Sequence, residues 1–200
     1  MRRRSTAACG LILALAGLLG PGAAFAAVSP EIAAARLQGN YAVSGVVTQA
    51  AGVAGEHRGE HVQRTWSFIS PCATGACPLL GLHRQRAGGT DPLFLHQVSP
   101  GRYTGAGVFA APVRCHGRLY RQGSVVPYTI TLTITAAAPQ PDGSLLATGF
   151  SAAYRNRGRI GHTRCYSPPS YDSAAYLGLP VAPVPPVAPV PPVPPVLPGR

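Results

Sequence analysis

The residues whose types and spacing could do chemistry begin with His57, Glu60 and His61, which spell H-x-x-E-H. In inverted zinc peptidases this motif lies on a helix, where the two histidines bind the metal and the glutamate polarises a metal-bound water. Here Gly59 interrupts the motif, and the residues from Val62 onward alternate as a strand does. We therefore expect a polar turn, with a metal-dependent hydrolase using His57, Glu60 and His61 as a remote alternative.

Other catalytic arrangements are weaker in this sequence. Asp91 precedes a proline and Asp142 precedes a glycine, which are turn contexts, and Asp172 can cap a short terminal helix. No G-x-S-x-G motif occurs, and the remaining histidines stand singly. We therefore predict no catalytic residue, no metal site, no cofactor and no enzymatic activity.

Arginines recur at every second position late in the chain, at Arg155, Arg157 and Arg159, and Arg164 follows them. If a strand continues through this segment, their side chains project from one face at intervals of ~7 Å, near the phosphate spacing of a polymer. The pattern predicts a ligand-binding stripe of Arg155, Arg157, Arg159 and Arg164 for an anionic cell-envelope polymer or lipid headgroups. A solvated strand end is the alternative.

The chain is strongly basic. All 17 basic residues are arginine, 6 acidic residues oppose them, and the formal net charge is +11. The arginines are scattered, and no DNA- or RNA-binding signature accompanies them. Nucleic acid is therefore not expected as a partner. The excess of arginine also fits the coding bias of a GC-rich genome.

The N-terminus has the features of an export signal. Three arginines at 2–4 precede an apolar run from Ala7 to Leu19 and a small-residue string that ends at Ala26. The run is too short to span a bilayer of ~30 Å, and no second run of ~18 apolar residues follows. We predict a signal peptide at 1–26, a secreted or cell-envelope-associated β domain at 27–178, and a mature form without a transmembrane segment.

Four cysteines follow the leader: Cys72, Cys77, Cys115 and Cys165. Because an exported protein meets oxidising conditions, we expect two disulfides. We favour a bridge between Cys72 and Cys77, since the four residues between them can turn tightly, which leaves Cys115 to pair with Cys165. The other two connectivities stay open. Zinc is disfavoured because the spacing is C-x4-C, with no C-x2-C pair.

After a short helix predicted for Pro30 to Gln38, alternating residues indicate strands separated by turns. The clearest strand is Tyr128 to Thr135, with apolar residues on one face and threonines on the other. Seven or eight strands with little helix predict an all-β fold, either an antiparallel β-barrel with a lipocalin-like meander or, as second choice, a β-sandwich. The remaining predicted strands are Tyr41 to Thr48, His61 to Ile69, Leu79 to Arg86, Leu93 to Val98, Arg102 to Phe109 and Leu145 to Asn156, with an Asp142-Gly143 hairpin turn before the last.

Proline, valine and alanine dominate the C-terminus, and we expect a disordered or polyproline II tail at 179–200. The favoured role is a spacer. The P-x-x-P spacing, as at Pro183 and Pro186, leaves a protein partner with an aromatic groove as the alternative.

The string WSFISPCATGAC at 66–77, followed by GRYTG at 101–105, resembles an uncharacterised secreted domain of high-GC Gram-positive bacteria. In that domain W-x-F-x-P-x-C-x-x-G-x-C precedes a glycine-rich tyrosine strand, and here the proline lies one position later. The resemblance covers 39–178. It implies a secreted β domain and transfers no active site.

These observations lead to two main hypotheses of function. The first is a non-enzymatic extracellular or envelope-associated binding module with a spacer tail. The alternative is a β-barrel carrier of a small apolar ligand, with a cavity lined from the strand faces of Trp66, Tyr103 and Tyr128.

Overall fold

The computed structural model describes residues 28–86, 89–161, 163–165 and 170–181. The predicted signal peptide at 1–26 lies outside these residues, as does the tail from 182 onward. Within them, one short helix precedes nine strands. The elements are α1 (Pro30–Ala34), β1 (Gly39–Ala51), β2 (His61–Ile69), β3 (Leu79–Arg86), β4 (Gly89–Ser99), β5 (Arg102–Cys115), β6 (Arg118–Pro139), β7 (Leu145–Asn156), β8 (Ile160–Gly161) and β9 (Tyr171–Pro180).

Eight of these strands close into an antiparallel barrel. From β1 to β7 each strand pairs with the next along the chain, and β9 lies between β7 and β1. β8 lies outside this ring and pairs with β6 at Ser124 and Val125. Because the ring closes, none of its eight strands is an edge strand. The predicted all-β meander barrel is confirmed, and the β-sandwich alternative is wrong.

Side-chain alternation decides which residues fill the barrel. On β6, Tyr128, Ile130, Leu132 and Ile134 are buried, and the threonines between them lie on the outer face. This is the two-residue period that a half-buried strand requires. The pattern predicted from the sequence is therefore confirmed for this strand.

β5 and β6 form one long hairpin. His116 and Gly117 connect them, both with positive φ, at 48° and 79°, as the tight turn of a two-residue hairpin loop requires. A register shift between Ala111 and Val113 interrupts the pairing. The sequence predicts shorter strands here because this irregularity breaks the alternation.

The helix α1 and the residues after it close one end of the barrel. As predicted, Ser29 caps the helix by accepting a hydrogen bond from the Ile32 backbone N–H. The helix ends at Ala34, and not at Gln38 as predicted, because the chain becomes extended and Leu37 enters the core fully buried. No helix among the described residues is long and apolar enough to cross a membrane.

Aromatic side chains fill the half of the barrel next to α1. Trp66 stacks on Phe150 with ring centroids 5.6 Å apart, and the centroids of Tyr41 and Phe68 are 5.4 Å apart. The Tyr41 hydroxyl donates to the Ala147 carbonyl at 2.6 Å, which satisfies its polar end inside the core. Burial raises the pKa of Tyr41 to about 12, so this hydroxyl stays protonated at neutral pH.

Two disulfides join Cys72 to Cys77 and Cys115 to Cys165, which confirms the favoured connectivity. The first closes the β2–β3 loop near α1. The second ties the end of β5 to the segment between β8 and β9, at the opposite end of the barrel. The bridges span 5 and 50 residues, and the chain-entropy model assigns them about 2 and about 4 kcal/mol of stabilisation.

Strand boundaries separate what the sequence predicts well from what it misses. β2, β3 and β7 have the predicted bounds, and the turn at Asp142-Gly143 is confirmed by a φ of 79° at Gly143. β9 is not predicted, because small inward residues hide its alternation. Since β9 reaches Pro180, Leu179 and Pro180 belong to the barrel and not to the predicted tail.

Gly178 on β9 provides the room that a core ring needs. Gly178 and Phe150 are cross-strand partners, and a Cβ at Gly178 would lie 2.1 Å from a carbon of that ring. We expect Gly178→Ala to lower the free energy of unfolding by about 1–3 kcal/mol through overpacking, measured by urea unfolding followed by Trp66 fluorescence. Gly158→Ala is the control, because its Cβ would meet nothing within 4 Å. Equal stability of the two variants would contradict the packing argument.

Candidate ligand-binding site

The inward face of the barrel changes from apolar to charged toward the end opposite α1. On β3, Leu82 is followed at the same period of two by Arg84 and Arg86, and on β4 Asp91 precedes Leu93 in the same way. Asp91 lies within a strand, so its prediction as a turn residue is wrong. This charged group is not among the predicted site residues, although its alternation with leucine was a signal for inward-facing side chains.

One carboxylate holds two arginines inside the barrel. Asp91 Oδ2 accepts hydrogen bonds from Arg84 Nη2 at 3.1 Å and from Arg86 Nε at 2.6 Å. The side chains of Arg84 and Asp91 are only 9% and 8% exposed. Buried charges are tolerated when they are paired and hydrogen-bonded. Two positive charges against one negative charge leave this wall of the barrel with an excess positive charge.

Aromatic rings hold the two guanidinium groups in place. The Arg84 guanidinium carbon lies 3.9 Å from the ring centroid of Tyr128 and 5.5 Å from that of Tyr154. The Arg86 guanidinium lies over Phe109 at 4.3 Å. These are cation–π distances, and they restrict both arginines to the interior. The buried Nε of Arg84 has no hydrogen-bond partner among the described residues.

A second charged group lies on β9 and the residues that follow β7. Asp172 Oδ1 accepts from Arg159 Nη2 at 2.8 Å and from Asn156 Nδ2 at 3.0 Å. Glu56 Oε1 lies 4.0 Å from the same arginine nitrogen. Asp172 is buried inside β9, so the prediction that it caps a terminal helix is wrong.

A cavity of about 470 Å³ lies among these two charged groups, and we call it the mouth cavity. It occupies the barrel end opposite α1, where the β1–β2 loop and the segment after β7 meet. Rings of Phe109, Tyr154 and Tyr176 contribute apolar surface to its wall. Its charged lining comprises four arginines and three acids: Arg64, Arg84, Arg86, Arg159, Glu56, Glu60 and Asp172.

The β1–β2 loop forms one side of the mouth cavity. Glu56 and two small apolar residues of this loop line it. The hydroxyl of Ser170, just before β9, donates to the Gly52 carbonyl at 3.0 Å and ties the start of the loop to the neighbouring strand β9. The loop is therefore part of the site.

His57, Glu60 and His61 belong to this loop and to the start of β2, and they do not lie on a helix. His57 Nδ1 lies 3.7 Å from Glu60 Oε2, and the His57 backbone N–H donates to the same oxygen at 3.3 Å. The His57 side chain is 78% exposed. The polar turn predicted here is confirmed, and the helical arrangement that the peptidase motif needs is not present in this segment.

Three side chains of metal-ligand type come together at only one place among the described residues, at Cys115, His116 and Cys165. Both sulfurs at this place are bonded to each other. A thiolate is the form of cysteine that binds metal, so the oxidised group offers the histidine alone.

Burial changes the protonation of groups around the mouth cavity. Burial, and then the charge of Asp172, raises the pKa of Glu56, whereas Arg159 opposes this shift. Burial also raises the pKa of Tyr154 and of Tyr176. Both tyrosines therefore stay neutral near neutral pH and keep a hydroxyl that can donate a hydrogen bond.

The apolar cavity expected from the sequence is not the cavity observed. Trp66, Tyr103 and Tyr128 are buried to 3% exposure or less, and none of them lines the mouth cavity. Trp66 and Tyr103 belong to the packed core, and Tyr128 lies behind Arg84. The strand faces of Trp66 and Tyr103 still contribute to the mouth cavity, through Arg64 on β2 and Phe109 on β5, whereas the three rings themselves pack inside the barrel.

The four arginines of the predicted stripe separate into different environments. Arg155 and Arg157 are exposed, and both contribute to two surface depressions of about 410 and about 550 Å³. β7 ends at Asn156, and Arg159 turns into the mouth cavity to meet Asp172. Arg164 is exposed beside Cys165. Whether these residues bind a ligand stays a prediction.

Comparison of the chain with protein-family models, with curated proteins and with solved structures found no match in any of the three.

The raised pKa of Glu56 leads to a prediction about stability and pH. A carboxyl whose pKa rises on folding binds its proton more tightly in the folded state, so the wild type loses stability as the pH rises from the ordinary value of 4.5. Glu56→Gln lacks this titration. We therefore expect the variant to gain stability relative to the wild type as the pH rises toward neutrality, measured by urea unfolding at a series of pH values.

The control for this prediction is Asp142→Asn. Hydrogen bonds from Ser144 lower the pKa of Asp142 below its ordinary value of 3.8, so this carboxylate contributes stability above that pH. The Asp142→Asn variant should therefore lose stability relative to the wild type as the pH rises. If the difference in the free energy of unfolding between Glu56→Gln and the wild type does not change with pH, the raised pKa of the buried Glu56 is contradicted.

Proposed function

We propose that this chain is an exported, non-enzymatic binding protein that holds a small ligand in the mouth cavity of its barrel. The observation that supports this most is the cavity, whose volume of about 470 Å³ falls in the range of about 300–1,000 Å³ typical of small-molecule sites. An eight-stranded barrel is wide enough either to be filled by side chains or to hold one small ligand. Here side chains fill one half and leave the other half partly open.

The wall of the cavity argues against a purely apolar ligand. Seven ionisable side chains line it together with three aromatic rings. A ligand that covered buried charges with hydrocarbon alone would leave them unsatisfied at a high energetic cost. The ligand therefore has both polar and apolar parts, unlike the apolar ligand that the barrel pattern first suggested.

Export is part of the proposal because of the leader and the cysteines. Two disulfides persist best in an oxidising compartment. The residues that follow β9, within the tail predicted at 179–200, are proposed to act as a spacer. The resemblance to secreted domains of high-GC Gram-positive bacteria and the hydrolase alternative at His57, Glu60 and His61 stay predictions.

Native mass spectrometry of the full chain, secreted by its own host, tests the proposed cavity. We expect a small molecule to remain bound to the wild type and to be lost in Ala174→Trp, because Ala174 points inward and lines the cavity. Ala175→Trp is the matched control, since the side chain of Ala175, the next residue along β9, is exposed. Ala111→Phe, from the β5 part of the lining, serves if Ala174→Trp does not fold. Wild-type protein without a bound molecule, or a ligand retained in every variant, would overturn the proposal.

A second candidate function is docking to an anionic envelope polymer or to lipid headgroups. The exposed pair Arg155 and Arg157, placed between two surface depressions, favours it. We expect the full chain to bind immobilised heparin, used as a polyanion, with an affinity that falls as salt rises. Arg155→Gln with Arg157→Gln should weaken this binding more than Arg114→Gln with Arg121→Gln, where both arginines are also exposed. A heparin affinity that does not change with salt concentration, or an equal loss of affinity in the two double variants, would exclude this function.

A further inference from the structure

We infer that the ligand of the mouth cavity is a small molecule with one carboxylate and one apolar ring, and that Arg84 and Arg86 bind its carboxylate. This inference rests on the proposed function, because it assumes that the mouth cavity is the ligand site. It adds the chemical class of the ligand and the two residues that recognise it.

The wall that carries Arg84 and Arg86 has an excess positive charge. Both arginines line the cavity. Asp91, which balances Arg84 and Arg86, does not line it, and a single oxygen of Asp91 accepts from both guanidinium groups. One positive charge on this wall therefore lacks a negative partner within hydrogen-bond distance. An incoming carboxylate would supply that charge.

Arg84 also has unused hydrogen-bond donors. Arg84 lines the cavity, its side chain is 91% buried, and among its three nitrogens only Nη2 has a hydrogen-bond partner among the described residues. Buried donors in proteins are nearly always paired. The hydrogen bond from Arg86 Nη2 to the Ala110 carbonyl is long, at 3.4 Å. Two planar guanidinium groups with spare donor capacity match the geometry of a carboxylate.

The side chains of Arg84 and Arg86 are held in place before a ligand binds. Arg84 is already fixed by Asp91 and by the Tyr128 ring, and Arg86 by Asp91 and the Phe109 ring. Little side-chain freedom is left to lose when a ligand binds. Arg84 is therefore held in a binding conformation before the ligand arrives.

The rest of the cavity sets the shape and the charge of the ligand. Phe109, Tyr154 and Tyr176 offer ring surfaces that suit an aromatic body. Glu56 and Asp172 lie on the other charged wall, where a second carboxylate would be repelled. One carboxylate is attracted by the Arg84 and Arg86 wall, and a second carboxylate is disfavoured by the Glu56 and Asp172 wall, so a monocarboxylate fits better than a dicarboxylate.

Isothermal titration of the full chain with phenylacetate and with its neutral isostere phenylacetamide tests the inference. We expect phenylacetate to bind at least about tenfold more tightly, because the carboxylate makes charge-assisted hydrogen bonds. Octanoate, which has the same carboxylate on a flexible chain, should bind more weakly than phenylacetate. Equal affinity for the acid and the amide would overturn the role of the arginines, and equal affinity for octanoate would overturn the ring.

Variants separate recognition from folding. Arg84→Lys should weaken phenylacetate binding about tenfold and leave phenylacetamide binding unchanged, since lysine keeps the charge but loses the planar donors. Arg86→Gln, at a partly exposed position, provides the same comparison if Arg84→Lys does not fold. Arg102→Gln, exposed on the outside at the α1 end, is the control and should change neither affinity.

The two proposals fail in different ways. If no small molecule depends on the cavity in the Ala174→Trp experiment, the proposed function fails. If a cavity-dependent ligand is found but phenylacetate and phenylacetamide bind equally, only the carboxylate inference fails.

Discussion

The pairing of β1 with β9 is the constraint on which the rest of the structure depends. It joins the first long strand to the last and turns an open sheet into a ring of eight strands without an edge. A ring of this size encloses a narrow interior, so every inward position must be filled, paired or left as a cavity. A register shift between Val47 and Gln49 bends β1 within this pairing, on the side of the mouth cavity.

The interior contains two environments that differ in what they contribute. The aromatic half, around Trp66 and Phe150, supplies the buried apolar area that stabilises a domain. The charged half costs desolvation energy, and apolar residues of similar size would often be at least as stable as a buried ion cluster. Stability alone therefore does not account for Arg84 and Asp91 in the interior. The proposed binding of a ligand carboxylate would give these buried charges a role.

The long disulfide connects the packing of the barrel to the geometry of the site. Between β7 and β9 the described residues form one short strand, β8, and they carry Arg159 into the mouth cavity. The Arg159 backbone N–H donates to the Ser170 carbonyl at 3.0 Å, and Cys165 in the same segment is bonded to Cys115. The covalent link thus adds to the pairing of β8 with β6, and together they hold the segment that carries Arg159.

Local patterns in the sequence determined the strands β2, β3 and β7, the cap at Ser29 and the sulfur pairing, because alternation, capping and tight turns act between near neighbours. Only the tertiary structure decided that Asp172, far along the chain from Glu56, would share one arginine with it, and that Asp91 would pair with two arginines inside a barrel. Ring closure brings such distant residues together, and no local period records it. The sequence thus determined which side chains could face inward, and the closed sheet decided which of them meet around the cavity.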